Sequence, residues 1–223
     1  MITTEILKQS LQRQTMPVRS YNMVKITEQI KILGSKYTSN FAIDSNNQKQ
    51  IEQLIYYFMW DKKFSGDLTK GLLLRGSIGS GKSILLKIFS IKEPNLNFNQ
   101  TKNFLYYSVI DVYMECINGG FQSIENYCKF SNLEESDKWK NTICFDELGV
   151  ESLTAKNYGN SVNIMEMIIQ KRYNNWQNHG QLTHFTTNLT PDEIENSYGE
   201  RVRSRLAEMC NDICLLGNDR RRV

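Results

Sequence analysis

From Gly71 to Ser83 the chain reads Gly-Leu-Leu-Leu-Arg-Gly-Ser-Ile-Gly-Ser-Gly-Lys-Ser, and this stretch constrains the fold more than any other. Its apolar opening, flanked by glycine, has the pattern of a buried strand. The loop Gly76-Ser77-Ile78-Gly79-Ser80-Gly81-Lys82-Ser83 fits G-x-x-x-x-G-K-[ST]. Ile84-Leu85-Leu86-Lys87-Ile88-Phe89 then reads as an apolar helix. Strand, glycine loop and helix in that order are the context of a phosphate-binding P-loop. Glycines let backbone N–H groups turn inward around phosphate oxygens, and the helix N-terminus adds its positive end. In such a loop Lys82 reaches the β and γ phosphates of ATP, and the Ser83 hydroxyl ligates Mg²⁺. The alternative is coincidence. At average glycine usage the four fixed positions arise by accident in roughly one chain in a hundred of this length, before the flanks are counted.

A second stretch bears on the same chemistry. Thr142-Ile143-Cys144-Phe145-Asp146-Glu147-Leu148-Gly149 is an apolar run that ends in two adjacent carboxylates and a glycine. Buried parallel strands have this pattern, and α/β proteins bind ligands at the C-terminal ends of such strands. Beside a P-loop, Asp146 fits the Walker B aspartate that holds Mg²⁺. Glu147 points differently and can polarise an attacking water as a general base. A solvated Asp-Glu turn is the competing interpretation, weakened by the P-loop upstream.

Composition excludes several classes. With 223 residues, 40% of them hydrophobic, the chain can bury the core of one large α/β domain. Its longest unbroken apolar run, Leu54 to Trp60, falls far short of the roughly 20 residues of a membrane span. The opening Met1-Ile2-Thr3-Thr4-Glu5 has neither a basic nor an apolar signal region, so a cytoplasmic protein without a membrane partner is expected. Five cysteines without C-x-x-C spacing, and two histidines, offer no zinc pattern and suggest reduced thiols. A net charge of +3 is too weak to argue nucleic-acid binding by itself. The excess is local. Residues 1–50 carry seven basic side chains against three acidic ones, while the remainder holds 20 against 21. We therefore divide the chain into a basic N-terminal arm, 1–45, either solvated or docking a partner or DNA, and a core, 46–223.

Within the core, Ile51, Leu54, Ile55, Phe58 and Met59 follow helical spacing, and Phe104 to Val109 reads as a strand. Asp111 can cap a helix that Gly119-Gly120 ends. Val162 to Trp176 is a long helix, and Leu182 to Asn188 a strand. Asn188 either holds the attacking water or γ-phosphate, or simply opens the turn before Pro191. A helix from Tyr198 carries Arg201 and Arg205 on one face, with Arg203 elsewhere. Ile213 to Leu216 is a last strand.

The ordered set of the P-loop, Asp146-Glu147, Lys171-Arg172-Tyr173, Thr186-Thr187-Asn188-Leu189, Tyr198-Gly199-Glu200-Arg201 and Ser204-Arg205-Leu206 resembles one branch of the AAA+ ATPases. These are the DnaC-type helicase loaders and the IstB-type transposition helpers, and the likeness covers roughly residues 46 to 217. It implies an α/β P-loop NTPase fold with a parallel five-stranded sheet in the order 5-1-4-3-2. It makes Asn188 the sensor-1 residue. It makes Arg205 the likeliest arginine finger, with Arg201 close behind, reaching the γ-phosphate of a neighbouring subunit in a homo-oligomer. Six residues follow Gly217, so no C-terminal helical lid is expected, although Arg220, Arg221 or Arg222 could stand in for a lid arginine.

The implied function is an ATPase that oligomerises, binds single- or double-stranded DNA and loads a replicative helicase. A transposition helper that recruits a transposase is the nearest alternative. A small-molecule P-loop kinase is disfavoured by the Asp-Glu pair, which suits water activation. A nucleotide-binding module without turnover is disfavoured by the intact Lys82, Asp146 and Glu147.

Overall fold

The computed structural model describes residues 20–90, 103–133, 141–153, 155–157, 160–215 and 219. Five parallel strands form its sheet: β1 (Gly71–Gly76), β2 (Leu105–Ser108), β3 (Ile143–Leu148), β6 (Thr183–Thr187) and β7 (Cys210–Leu215), in the order β2-β3-β6-β1-β7. Numbered among themselves along the chain, these strands run 5-1-4-3-2, as the resemblance implied. Two short strands, β4 (Ala155–Asn157) and β5 (Asn160–Val162), make a separate antiparallel hairpin that the sequence pattern did not reveal.

Side chains alternate across the strands, and the two faces of the sheet build two cores. Leu72, Leu74 and Cys144 point to one face, where α1 (Met23–Tyr37), α2 (Gln48–Phe58) and α3 (Lys82–Ser90) pack. Leu73, Phe145 and Phe185 point to the other. There they meet α4 (Val109–Gly119), α5 (Ile124–Cys128), α6 (Ile164–His179), α7 (Pro191–Tyr198) and α8 (Glu200–Met209). Layers of helix, sheet and helix follow from strands that are apolar on both faces.

Local signals set the element ends. Asn163 caps α6 by accepting the Glu166 N–H at 3.0 Å, and Gly180, with φ 66°, closes it in the left-handed conformation. Thr190 and Glu193 form a capping box at the start of α7, with Pro191 in its first turn. Asp111 does not cap a helix: α4 starts at Val109, directly after β2, and Asp111 lies in its first turn.

Of the expected arm, residues 20–45 are described. Ile26, Ile30 and Leu33 of α1 are buried with Ile51, Leu54 and Phe58 of α2 in the same core as the P-loop strand. The helix Met23–Tyr37, with Phe41 and Ile43, therefore packs on the core around β1, because an apolar helix face is buried there. Residues 1–19 of the expected arm lie outside the described residues, as do Arg220, Arg221 and Arg222.

All five cysteines are free thiols, four of them buried. No helix of the described residues is long and apolar enough to cross a membrane.

Candidate nucleotide site

β1 lies between β6 and β7 in the sheet, and its C-terminal end delivers the loop. Gly76, Gly79 and Gly81 all take positive φ, at 147°, 77° and 94°. At Gly79 a side chain is excluded twice, by this backbone and by space, since a Cβ would come within 1.8 Å of the Asp219 carboxylate. α3 begins at Lys82, so the loop ends on a helix N-terminus.

Lys82 is 6% exposed. Its ammonium donates to the carbonyls of Gly76 at 2.8 Å and Ser77 at 2.9 Å, to the Ser80 hydroxyl at 3.3 Å, and to Asn188 Oδ1 at 2.7 Å. Asn188 comes within reach because β6 pairs directly with β1, with Arg75 opposite Thr187. The residue after β6 thus sits beside the loop after β1.

On the other side of β6 runs β3, which ends in the two carboxylates. The pairing is regular as far as Phe145 opposite Phe185, and then jumps to Leu148 opposite Thr187. β3 takes three steps where β6 takes two. The extra residue is a β-bulge, rare between parallel strands. Glu147 sits in it with φ 64°, a conformation unusual outside glycine. Asp146 is 6% exposed and accepts the Thr186 hydroxyl at 2.5 Å; Glu147 donates its backbone N–H to the same hydroxyl at 2.8 Å. β2 adds Tyr106, whose hydroxyl lies by Asp146 and Ser83. Burial, and then the Asp146 charge, push its ionisation far above the usual phenol range.

These elements enclose a cavity of about 540 Å³. Ile78, Gly79 and Gly81 to Ile84 line it from the loop, and Glu147, Thr186, Thr187 and Asn188 from the strand ends. Tyr37, Thr38, Asn40 and Phe41 close it from the end of α1. The site therefore brings together Lys82, Ser83, Glu147 and Asn188, with Asp146 buried behind. Sequence reasoning missed the wall at Tyr37–Phe41 and the role of Thr186. It also missed Glu151, a buried carboxylate that accepts the Gly149 N–H at 2.9 Å and the Tyr198 hydroxyl. That contact ties the turn after Glu147 to the end of α7.

The donor set fits Mg²⁺. Ser83 and Asp146 offer one hydroxyl and one carboxylate beside a phosphate-type loop, all hard oxygen ligands, and Mg²⁺ takes few protein ligands and keeps water and phosphate for the rest. Among the described residues no group of three or more His, Cys, Asp or Glu could hold a softer metal.

The α8 arginines do not line the cavity. Arg203 pairs with Glu195 and, at 3.7 Å, with Asp192. Arg205 lies over the Tyr173 ring, 5.0 Å from its centroid, with Nη1 buried and without a hydrogen bond. Arg201 is exposed and makes no hydrogen bond or ion pair with a described residue.

No protein-family model matches the chain, and no curated protein matches it significantly in sequence. Among solved structures it is similar to a crystal structure of DnaI, with 17% identity and a TM-score of 0.52, covering 80% of this chain and 90% of that one. It is also similar to AMPPCP-bound DnaA from Aquifex aeolicus, with 16% identity, a TM-score of 0.51 and coverage of 85% and 53%. A replication initiator DnaA bound to AMPPCP and single-stranded DNA matches at 15% identity and a TM-score of 0.52, with coverage of 83% and 51%. The chain thus spans about half the length of these DnaA structures. At such identities the likeness concerns the fold alone, an α/β arrangement around a parallel five-stranded sheet.

Proposed function

We propose that this chain is an ATP-binding and ATP-hydrolysing AAA+ protein that acts in DNA replication as a helicase-loader-like factor. The observation that carries the reading is the Lys82 ammonium held between its own loop and Asn188, in one cavity with Glu147. A buried cation held by the oxygens of Gly76, Ser77, Ser80 and Asn188 can exchange them for phosphate oxygens. When ATP enters, Lys82 takes the β and γ phosphates and Asn188 turns its carboxamide to the γ-phosphate or the attacking water. Glu147 accepts the proton of that water as it attacks the γ-phosphorus, and ADP leaves with phosphate as the other product. Ser83 and Asp146 would hold Mg²⁺, which neutralises charge on the phosphates when bound. Tyr37, Phe41, Ile78 and Ile84, apolar or aromatic residues lining one cavity, suit the purine base.

Helicase loading is favoured over transposition help because the similar structures above include a replication initiator bound to single-stranded DNA. Under this reading subunits assemble so that Arg205 or Arg201 of one completes the site of the next, and DNA lies along the assembly. Residues 1–19 serve as the docking segment. The test is capture of partners by the Glu147→Gln protein loaded with ATP, followed by phosphate release with the wild type. A replicative helicase bound only with ATP supports the reading. A transposase in its place, or no ATP binding, overturns it.

A further inference from the structure

We infer that Thr186 is a positioning residue for the Asp146–Glu147 pair, one hydroxyl fixing both the backbone that aims Glu147 and the carboxylate of Asp146. The inference rests on the nucleotide reading above and adds to it the element that holds the two acids apart.

The bulge creates a need. Where β3 takes its extra step, the regular ladder between β3 and β6 is interrupted between Phe145 and Leu148. The Glu147 N–H would be left without a strand partner at the edge of a buried site, and such a group is costly to leave unpaired. The Thr186 hydroxyl accepts it at 2.8 Å. A hydroxyl has one proton to give, and this one goes to Asp146 Oδ1 at 2.5 Å. Acceptance from Glu147 and donation to Asp146 together fix the direction of the O–H bond. Thr186 is fully buried and β-branched, so packing and a stiff χ1 leave that oxygen no other place.

Two consequences follow. First, the left-handed backbone at Glu147 turns consecutive carboxylates to different uses. Asp146 stays buried, while Glu147 lines the cavity. In a regular strand they would point to opposite faces of the sheet. Second, Thr186 fixes the Asp146 carboxylate, which would offer Mg²⁺ a ligand held in one orientation. Thr187 answers the same bulge on its far side by donating to the Leu148 carbonyl at 2.6 Å, but it touches neither acid. The assignment therefore belongs to Thr186.

The experiment compares wild type, Thr186→Val, which keeps the shape and loses the hydroxyl, and Thr186→Ser, which keeps the hydroxyl. ATP affinity is measured by fluorescent-nucleotide titration without Mg²⁺ and across a Mg²⁺ series, and turnover by phosphate release at saturating Mg-ATP. Thr186→Val is expected to keep its metal-free affinity and to need severalfold more Mg²⁺ for tight binding. It should turn over at least about tenfold more slowly, the scale of a lost hydrogen bond to a charged group. Thr186→Ser should recover most of both. If Thr186→Val does not fold, Thr186→Cys, similar in size and a far weaker hydrogen bonder, carries the same expectation. A hydroxyl-free variant with wild-type turnover and Mg²⁺ response overturns the inference alone. So does a Ser variant as impaired as Val, or a loss of metal-free ATP binding in step with turnover, which marks a merely structural role. A wild type that neither binds nor hydrolyses ATP overturns the nucleotide reading and this inference with it.

Discussion

The Lys82 ammonium and the Asn188 carboxamide meet at 2.7 Å across the gap between two neighbouring strands, which joins the phosphate loop to the end of β6. Under the proposed function, ATP inserts γ-phosphate oxygens where Asn188 now accepts. Lys82→Ala should therefore abolish ATP binding, since the phosphates lose their buried cation. Asn188→Ala should leave affinity within a few-fold and slow turnover by about 10- to 100-fold, the scale of a hydrogen bond to a charged group. Fluorescent-nucleotide titration and phosphate release separate the two effects. An Asn188→Ala protein that hydrolyses at the wild-type rate would reduce this residue to a turn former.

Glu147→Gln replaces a proton acceptor with an amide of the same shape. Binding should persist and turnover stop, because the amide cannot take the proton of the attacking water. Single-turnover hydrolysis is the direct measurement. A wild-type rate would remove Glu147 from the chemistry and leave its lining of the cavity without a catalytic meaning.

Arg172 offers a stability test remote from the cavity. It is completely buried, and burial pushes its guanidinium down to about 10, so it remains a cation at neutral pH. Its donors reach the Thr183 hydroxyl at 2.7 Å and the carbonyls of Tyr127 at 2.7 Å, Asn141 at 3.0 Å and Leu182 at 2.8 Å. One side chain thus fastens α5, the start of β3 and the start of β6. Arg172→Met leaves three buried carbonyls without their donor but removes a costly buried charge, for a net loss of about 2–4 kcal/mol. Arg172→Lys should recover little, because an ammonium lacks the planar fork. Urea unfolding with an unchanged m-value reads this directly. A Met variant as stable as wild type would mean that desolvation cancels all four hydrogen bonds.

DNA binding should be a property of the assembly. With a net charge of +3 per chain, a single subunit attracts phosphate weakly. In the presence of ATP, affinity for single-stranded DNA should fall steeply with salt and depend little on sequence. Anisotropy titrations at several salt concentrations test it, and a salt-insensitive affinity counts against backbone contacts.

The parts of this site that are legible in the sequence are those fixed by local pattern. The P-loop pattern and the paired acids at the end of β3 each stand within a dozen residues, whereas local pattern leaves Asn188 open between a site residue and a turn former. Thr186 has no local mark, because threonine is what strand propensity expects of any strand. Its meaning comes from a bulge in a neighbour 39 residues away. The α1 helix was obscured differently. Ile26, Ile30 and Leu33 have helical spacing and Asn22 caps the helix, accepting the Lys25 N–H at 3.1 Å. Exposed Val24 and Ile32 blur that stripe, so the sequence reads there as a basic arm. Glu151 was invisible because a carboxylate is rarely expected inside.

The last prediction concerns whether one subunit suffices. Neither Arg201 nor Arg205 lines the cavity of its own chain, so a single subunit offers no α8 arginine to the transition state. An arginine supplied in trans contributes about 10³–10⁵ in rate in the systems where it is measured. Specific activity should therefore rise with protein concentration. Arg205 is held over Tyr173, but a cation–π contact is worth about 0.5–2 kcal/mol, below what a finger contributes. The contact can be given up on assembly, and until then it keeps the guanidinium in place. Arg205→Ala should bind ATP normally and hydrolyse it poorly. Mixing it with Lys82→Ala should restore part of the activity, since one interface in the mixture pairs an intact loop with an intact arginine. Arg201, exposed and without a described partner, is the rival. If Arg201→Ala alone behaves this way, the finger is Arg201 and Arg205 serves packing on Tyr173. If neither substitution matters and activity per subunit is independent of concentration, the site is self-contained and the assembly reading fails.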